Sequence, residues 1–288
     1  MIQNDSLGKV CLYGLAKENE NAGFENENYA ENAVEASSCE GKLYGYPLTF
    51  HTGIFVYQTE AFAEAPKSIQ EILDLAENSE IGLKAGNLIE WNVADAYYDF
   101  PFIGNSITFD ALDAGELQLT VDEDSYEKEL AYYQGLSDTI NLDTDTITRQ
   151  QVLEDFSIGA TLCAIVDSDD LREIHDMDYS VSMLPALNEE LSMRGASYTK
   201  MLIVNDYTKE SEKAAAFAKF VTTDCVDDLE KQTGYLPVKR DAVTDKKSKL
   251  IYQQYENSVN MPNAMNSEEF LIELKNKMTN IWNGGTLS

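Results

Sequence analysis

Apolar side chains recur at the spacing of an α-helix in three separate segments of this chain. The first segment, residues 66–78, also carries Ser68 three positions before Glu71, a pair suited to capping a helix start. The last stripe ends before Gly284 and Gly285, which favour a helix stop. The stripes are Ile69, Ile72, Leu73 and Ala76; Ala214, Phe217, Ala218 and Val221; and Leu271, Leu274, Met278 and Ile281. The pattern predicts three amphipathic helices, each covering a core with one face.

Short apolar runs bounded by turn residues lie between these helices, at 54–57, 162–166, 179–184 and 201–204. Strands that alternate with covering helices are typical of an α/β fold. The run at 54–57 follows a more polar stretch that contains Tyr44, Pro47 and His51. We interpret this change as the point where the chain passes from one domain to another.

The composition limits the classes of partner. A length of 288 residues with 43% hydrophobic content allows about two domains with sizeable cores. The formal net charge of -30 repels phosphate backbones and anionic membrane surfaces, so no nucleic acid partner is expected. No apolar run approaches the ~18 residues of a membrane helix, and the start lacks the regions of a signal peptide. Either the chain stays inside the cell, or its leader is absent from this numbering.

Four cysteines are scattered along the chain, at Cys11, Cys39, Cys163 and Cys225. They lack the paired C-x-x-C spacing of zinc or redox sites, so the sequence predicts no metal site, and no cofactor follows from it. An even count permits disulfides but does not pair them. Cys163 lies in a strand-like run, where a thiol is most often a small buried hydrophobe.

Four motifs occur in order over nearly the whole chain. They are G-K-L-Y-G-Y-P from Gly41 with an apolar F-V-Y after it, F-S-I-G-A-T-L-C from Phe156, T-G-Y-L-P-V-K-R from Thr233, and M-P-N from Met261, which opens the C-terminal helix. In this order and spacing they resemble the extracellular solute-binding proteins of ABC importers, in the class of maltose- and maltodextrin-binding proteins.

The resemblance implies a two-lobed α/β fold of the periplasmic-binding-protein type, whose lobes close by hinge motion around a small molecule. It assigns residues 1–51 and 202–256 to the N-terminal lobe, and residues 53–200 and 261–288 to the C-terminal lobe. It also implies that the family's first strand-helix-strand unit is missing before Met1.

The implied function is capture of a small solute outside the cytoplasm, with a sugar or oligosaccharide as the expected ligand and an ABC permease as the expected partner. The chain is expected to be a monomer, periplasmic or a cell-surface lipoprotein, without membrane insertion of its own and without enzymatic activity.

The resemblance also implies ligand-binding residues in the stretch from Asn92 to Pro101. Asp95 and Tyr97 match an acid and a tyrosine that contact sugar in the family, and Tyr98 stands beside them. The alternative is equally open at this stage: Asp95 is a helix cap and Tyr98 an ordinary core residue.

Three further candidates lie in the predicted N-terminal lobe. Asn4 and Asp5 stand where the family carries an aspartate that binds sugar hydroxyls, and His51 matches a cleft-facing acidic position. The alternatives are a helix N-cap at Asn4 and Asp5, and a buried, satisfied histidine at His51.

Two departures count against a maltodextrin as the ligand. By spacing, the family's two tryptophan platforms become Asp169 and Leu271, and each lost aromatic weakens sugar binding by ~1 kcal/mol or more. Asp169 stays a candidate ligand residue at its position. Tyr235 is a candidate for replacing the lost stacking surface, together with Tyr44, Tyr46, Trp91 and Trp282, although core packing is the simpler assignment for most of these.

Two other functions stay open from the sequence. A carbohydrate-active hydrolase would need a placed pair of carboxylates, which so acidic a chain does not single out. The hydrolase and phosphate-loop motifs G-x-S-x-G, H-E-x-x-H and G-x-x-x-x-G-K-[ST] do not occur. A sensor or surface-binding protein with the same fold is not distinguished from a transport component.

Overall fold

The computed structural model describes residues 1–20, 23–24, 28–78, 86–109 and 116–287, with the side chains of the helix that ends at Asn78 described as far as Leu75. It divides into two compact units. Unit 1 comprises Met1–Thr52, Phe109–Thr120 and Ser197–Glu268, and unit 2 comprises Gly53–Thr108, Val121–Ala196 and Glu269–Ser288. The predicted lobes are defined by their motion during hinge closure. A division into compact units does not test motion, so the lobe boundaries stay a prediction.

Strands and helices alternate along most of the chain. The strands are β1 (Ile2–Gln3), β2 (Ser38–Cys39), β3 (Lys42–Leu43), β4 (Gly45–Gln58), β5 (Asn87–Glu90), β6 (Ile107–Phe109), β7 (Leu119–Val121), β8 (Thr161–Asp167), β9 (Tyr179–Ser182), β10 (Ala196–Ile203), β11 (Leu236–Pro237) and β12 (Val259–Asn260). The helices are α1 (Leu7–Leu12), α2 (Glu31–Ala36), α3 (Ile69–Asn78), α4 (Ala96–Asp99), α5 (Glu123–Leu136), α6 (Arg149–Ser157), α7 (Ser211–Thr223), α8 (Leu229–Thr233), α9 (Lys246–Asn257) and α10 (Ser267–Trp282). None of the helices in the described residues has the length and apolarity to span a membrane.

The sheet of unit 1 is antiparallel where β4, β10 and β1 adjoin. The first half of β4 pairs with β10 on one side and with β11 on the other, and β10 pairs in turn with β1. Phe50 points into the core, where its ring stacks on Tyr255 at 4.1 Å and meets the edge of Tyr252 at 5.5 Å. Because side chains alternate along a strand, Thr49 and His51 face the opposite side of this sheet.

The sheet of unit 2 is mixed. The second half of β4 lies between β8 and β9, antiparallel to both, and β5 runs parallel to β8. Every residue of β8 is buried, as expected of a strand covered on both faces. Helix α10 supplies Met278, Ile281 and Trp282 to this core, where the Trp282 ring packs 5.2 Å from Trp91.

The three predicted helices are present, with two local corrections. Ser68 caps α3 by accepting from the backbone N–H of Glu71 at 3.1 Å, while the predicted stripe residue Ala76 lies outside the described side chains. In α7, Ala218 is buried but Phe217 is 65% exposed, so the predicted stripe is wrong at Phe217. The C-terminal helix begins at Ser267 rather than at the M-P-N motif.

The predicted strands are present, but two are longer than their apolar runs. β4 extends from the predicted 54–57 back to Gly45, and β10 extends from the predicted 201–204 back to Ala196. Both extensions contain buried polar residues: Thr49 and Thr52 in β4, and Ser197 and Thr199 in β10. Such residues satisfy their hydroxyls within the fold, so an apolar run alone underestimates a strand's length.

Candidate functional site

The carboxyl ends of β5 and β8 lie at the same edge of the unit 2 sheet, because these strands are parallel neighbours. β5 ends at Glu90 and leads through a short loop into α4, and β8 ends at Asp167 and leads into a 3₁₀ turn over Ser168–Glu173. In α/β sheets this edge is where ligands bind. It is therefore the first place to look for a site in unit 2.

Tyr97 joins these two strand ends. Its hydroxyl donates to Oδ2 of Asp167 at 2.7 Å. Asp95 caps α4 by accepting at Oδ1 from the backbone N–H of Tyr97 at 3.0 Å, and the backbone N–H of Asp169 donates to Oδ1 of Asp167 at 2.7 Å. We call Asp95, Tyr97, Asp167 and Asp169 the Tyr97 cluster.

An ion pair between half-exposed Arg149 and buried Asp170 supports the turn that carries Asp167. The carboxylate of Asp170 accepts from Nε of Arg149 at 2.9 Å, from the backbone N–H of Asp167 at 3.3 Å and from the Tyr98 hydroxyl at 3.4 Å. Burial raises the pKa of Asp170, and the Arg149 guanidinium opposes that rise by favouring the charged carboxylate. Asp167 and Asp170 cap the same turn reciprocally, and these hydrogen bonds fix the position of the Asp167 carboxylate.

The Tyr97 cluster has the chemistry of a polyol receptor. Carboxylate oxygens accept hydrogen bonds from hydroxyl groups, and the side chains of Asp95 and Asp169 are half-buried here, while Asp167 is buried. The phenol ring offers an apolar face for C–H groups. Tyr98 differs from Tyr97 in that its ring is buried, which is the position of a core residue.

A second polar face lies on unit 1, at the side of the sheet away from Phe50. His51 is directly opposite Tyr198 in the β4–β10 register, and their rings stack at 5.1 Å. Nε2 of Gln3 lies 3.0 Å from Nε2 of His51. Lys200 is opposite Gln3 in the β1–β10 register, and its ammonium lies 4.5 Å from the centre of the Tyr235 ring. We call Gln3, His51, Tyr198, Lys200 and Tyr235 the histidine face.

The neighbouring candidates Asn4 and Asp5 differ in their surroundings. Asn4 is buried, donates from Nδ2 to the carbonyl of Met261 at 2.6 Å and accepts from the backbone N–H of Thr199 at 2.8 Å. These are the contacts of a structural residue. Asp5 is half-buried and accepts from the Ser6 hydroxyl at 3.2 Å. A cavity of about 490 Å³ in unit 1 is lined by Asn4 but by no member of the histidine face.

Three of the aromatic residues that were candidates for stacking on a ligand belong to the core. Trp91, Trp282 and Tyr46 are buried, so they offer no ring face to a ligand. Tyr44 and Tyr235 are half-buried. The expectation that core packing accounts for most of this group therefore agrees with the structure.

Sequence reasoning missed Asp167, Tyr198 and Lys200. Asp167 follows the predicted strand at 162–166 directly, and the rule that parallel strands share a ligand-binding edge would have marked it if the β5–β8 pairing had been known. Tyr198 and Lys200 lie in the part of β10 that precedes its predicted run, and their alternation on one face becomes visible only once that strand is extended.

Comparison with known families gives a match over most of this chain. A model of the family of bacterial extracellular solute-binding proteins matches residues 1–262. The maltodextrin-binding protein MdxE of Bacillus subtilis (strain 168) is 22% identical over 261 residues, which cover 82% of this chain and 61% of that protein. The chain thus spans about three fifths of the length of this relative.

Two solved structures are similar over 98% of this chain, each with a TM-score of 0.85. One is the maltose-binding periplasmic protein MalE of Listeria monocytogenes in complex with maltose, which is 17% identical and 78% covered. The other is an extracellular solute-binding protein of Staphylococcus aureus in complex with maltose, which is 19% identical and 77% covered. The predicted fold class, α/β of the periplasmic-binding-protein type, is confirmed.

Proposed function

Since this chain belongs to the family of bacterial extracellular solute-binding proteins, we propose that it captures a sugar or oligosaccharide outside the cytoplasm for delivery to the permease of an ABC importer. The resemblance predicted from the four sequence motifs is confirmed by the family match. The expectation that the chain is not an enzyme is also confirmed, because its relatives are binding proteins.

The Tyr97 cluster is the observation that supports a carbohydrate ligand. At the edge where two parallel strands end, the Tyr97 hydroxyl donates to Asp167, and the backbone N–H groups of Tyr97 and Asp169 donate to the carboxylates of Asp95 and Asp167. Vicinal hydroxyls of a sugar donate to paired carboxylate oxygens, while the C–H face of the ring packs on an aromatic side chain. The names of the relatives point to the same chemistry, since they bind maltose or maltodextrin.

The histidine face supports a ligand that differs in detail from a long maltodextrin. The imidazole and amide groups there both donate and accept hydrogen bonds, the ammonium of Lys200 donates only, and the available rings are tyrosines. Without exposed tryptophan platforms among the described residues, stacking contributes less to affinity than polar contacts. We therefore propose a short saccharide over a long, mainly stacked one.

Two parts of this proposal, delivery to a permease and location outside the cytoplasm, are inferred from membership in the family. The lipoprotein anchor, the monomeric state and the assignment of ligand roles to Asp5, His51, Asp169 and Tyr235 are parts of the same proposal. The chain is expected to work without a cofactor, because hydrogen bonding and stacking need none.

Isothermal titration calorimetry with glucose, maltose, maltotriose and maltotetraose tests the proposal. At least one of these saccharides should bind and raise the melting temperature, because it binds only the native state. Tyr97→Phe removes the hydroxyl but keeps the ring, and Asp95→Asn removes the charge but keeps a capping side chain. Each should weaken binding about tenfold or more, the cost of one charged or bridging hydrogen bond.

Asp138→Asn is the matched control, because it also removes one carboxylate from unit 2 but at an exposed position after α5. It should leave the affinity unchanged. If no saccharide gives heat or a thermal shift, the carbohydrate proposal is wrong. If a saccharide binds and both cluster variants bind it equally well, the assignment of the site is wrong.

A further inference from the structure

Two cysteines that are far apart in sequence meet in unit 1. Cys11 lies in the last turn of α1, and Cys39 lies in β2. Both are half-buried at the wall of one cavity of about 260 Å³, and the elements that carry them, α1 and β2, pack against each other. Neither is in a disulfide in the structure.

The helix that carries Cys11 is held in place by a close backbone approach. A Cβ atom on Gly8 would lie 1.9 Å from the carbonyl oxygen of Asn263, so only glycine allows α1 to pack there. The side-chain amide of the same Asn263 donates to the carbonyl of Ser38, the residue before Cys39, at 3.5 Å. Asn263 therefore contacts both α1, which carries Cys11, and the residue before Cys39.

The strand that carries Cys39 is held by a tight hairpin. Cys39 pairs with Lys42 across the β2–β3 ribbon, and the two residues between them, Glu40 and Gly41, have φ angles of 50° and 73°. Two successive left-handed residues are the signature of a two-residue hairpin turn of type I′, which fixes strand register. The thiol of Cys39 is thus presented to α1 from a defined position.

The electrostatics of the pair favour reaction at Cys39. Hydrogen bonding from Cys11 lowers the pKa of Cys39 to about 7, and the same bond raises the pKa of Cys11. The thiolate is the nucleophile in thiol–disulfide exchange. At neutral pH Cys39 is then the first thiol to attack, and Cys11 is the neighbour that completes the exchange.

We propose that Cys11 and Cys39 form a reversible disulfide that fastens α1 to the β2–β3 hairpin, with a small-molecule disulfide such as oxidised glutathione as the oxidant. The Cys39 thiolate attacks one sulfur of the oxidant and releases one glutathione thiolate. Cys11 then gives up its proton to solvent and attacks the Cys39 sulfur of the mixed disulfide, which releases the second glutathione thiolate. The protein loses two thiol hydrogens, and one oxidised glutathione becomes two reduced glutathiones.

The expected compartment and the length of the closed loop both favour such a disulfide. Disulfides persist in oxidising compartments outside the cytoplasm, which is where the family acts. The bond would close a loop of about 30 residues in the unfolded chain, a length at which cross-linking stabilises substantially. This inference concerns unit 1 alone and does not depend on the identity of the solute.

Oxidation of the whole chain with glutathione at pH 8, followed by alkylation and peptide mass spectrometry, tests the inference. The expected product has lost about 2 Da, contains one peptide pair linked between Cys11 and Cys39, and keeps Cys225 alkylatable. Its melting temperature should rise by about 5 °C over the reduced protein, and dithiothreitol should reverse that rise. Cys225 is the internal control, because it is exposed and lies in the same unit.

Cys11→Ser provides the second arm. This variant should carry one glutathione on Cys39 without a cross-link, and oxidant should leave its melting temperature within about 1 °C. Cross-links that include Cys225, or Cys11 and Cys39 that both stay alkylatable after oxidation, would overturn the inference. The same holds if wild-type protein carries glutathione on both cysteines.

Discussion

Asp99 is a fully buried carboxyl group in the aromatic core of unit 2. Its Oδ1 accepts from Nε1 of Trp91 at 2.9 Å and from the Tyr133 hydroxyl at 2.8 Å. Its Oδ2 is buried and has no hydrogen-bond partner among the described residues. Burial raises the pKa of Asp99 well above its ordinary value, although the two hydrogen bonds oppose that rise. The group is therefore held neutral by its surroundings over part of the acidic pH range.

Replacing this carboxyl group by an amide should change stability in a pH-dependent way. Asp99→Asn keeps the acceptor at Oδ1 and places an N–H donor where a protonated carboxyl would place an O–H, so the two proteins should be about equally stable near pH 4. Above the unfolded pKa of about 3.9, the wild-type protein must either hold a proton or bury a charge. Each pH unit up to the folded pKa then costs it about 1.4 kcal/mol, which the variant does not lose.

Urea unfolding followed by tryptophan fluorescence measures this directly. The chain has two tryptophans, Trp91 and Trp282, and both pack in the core that contains Asp99, so the signal reports on this region. The difference in unfolding free energy between variant and wild type should grow from pH 4 toward pH 7, in favour of the variant. The control Asp138→Asn removes a carboxylate at an exposed position instead, and it should not reproduce this growth.

A difference that is independent of pH would refute the reasoning. It would mean that Asp99 has the same proton affinity in the folded and unfolded states. A difference that moves in favour of wild type as the pH rises would be stronger evidence against it, because it would require a stabilised charge in the core.

Two further predictions concern packing and charge in unit 2. Gly104→Ala should lower the free energy of unfolding by about 1–3 kcal/mol, because its Cβ would lie 2.1 Å from the carbonyl oxygen of Arg194. The control is Gly135→Ala in α5, where the added Cβ would contact no atom. Thermal unfolding should show this control to be neutral or slightly stabilising. Arg149→Met should lower the free energy of unfolding by about 2 kcal/mol at pH 7, because it leaves the buried Asp170 carboxylate without its partner. Unfolding titrations should show this loss becoming smaller toward pH 4, because Asp170 then takes up a proton. A loss for Arg149→Met that is the same at both pH values would assign the effect to packing instead.

The sequence predicts local elements better than it predicts their partners. The start of α3 is readable because Ser68 and Glu71 are close in sequence and act on the same turn. Phe217 fits a helical stripe equally well, yet it is exposed, because periodicity does not show how wide a face is covered.

Only part of the candidate site could be predicted from the sequence. Asp95 and Tyr97 stand in a recognisable motif, whereas Asp167 becomes relevant because β8 pairs in parallel with β5 over 70 positions away. Likewise, Tyr198 joins His51 through a register that no local pattern encodes. Non-local strand pairing is therefore the information that the sequence pattern lacks.

Unit 2 takes its last core side chains from α10, which supplies Met278, Ile281 and Trp282 to a core whose strands β5 and β8 the ribosome makes more than a hundred residues earlier. Nascent β5 and β8 therefore leave the ribosome, at about 5–20 residues per second, without the helix that completes the core of their unit. Until α10 has emerged, this unit has no complete interior.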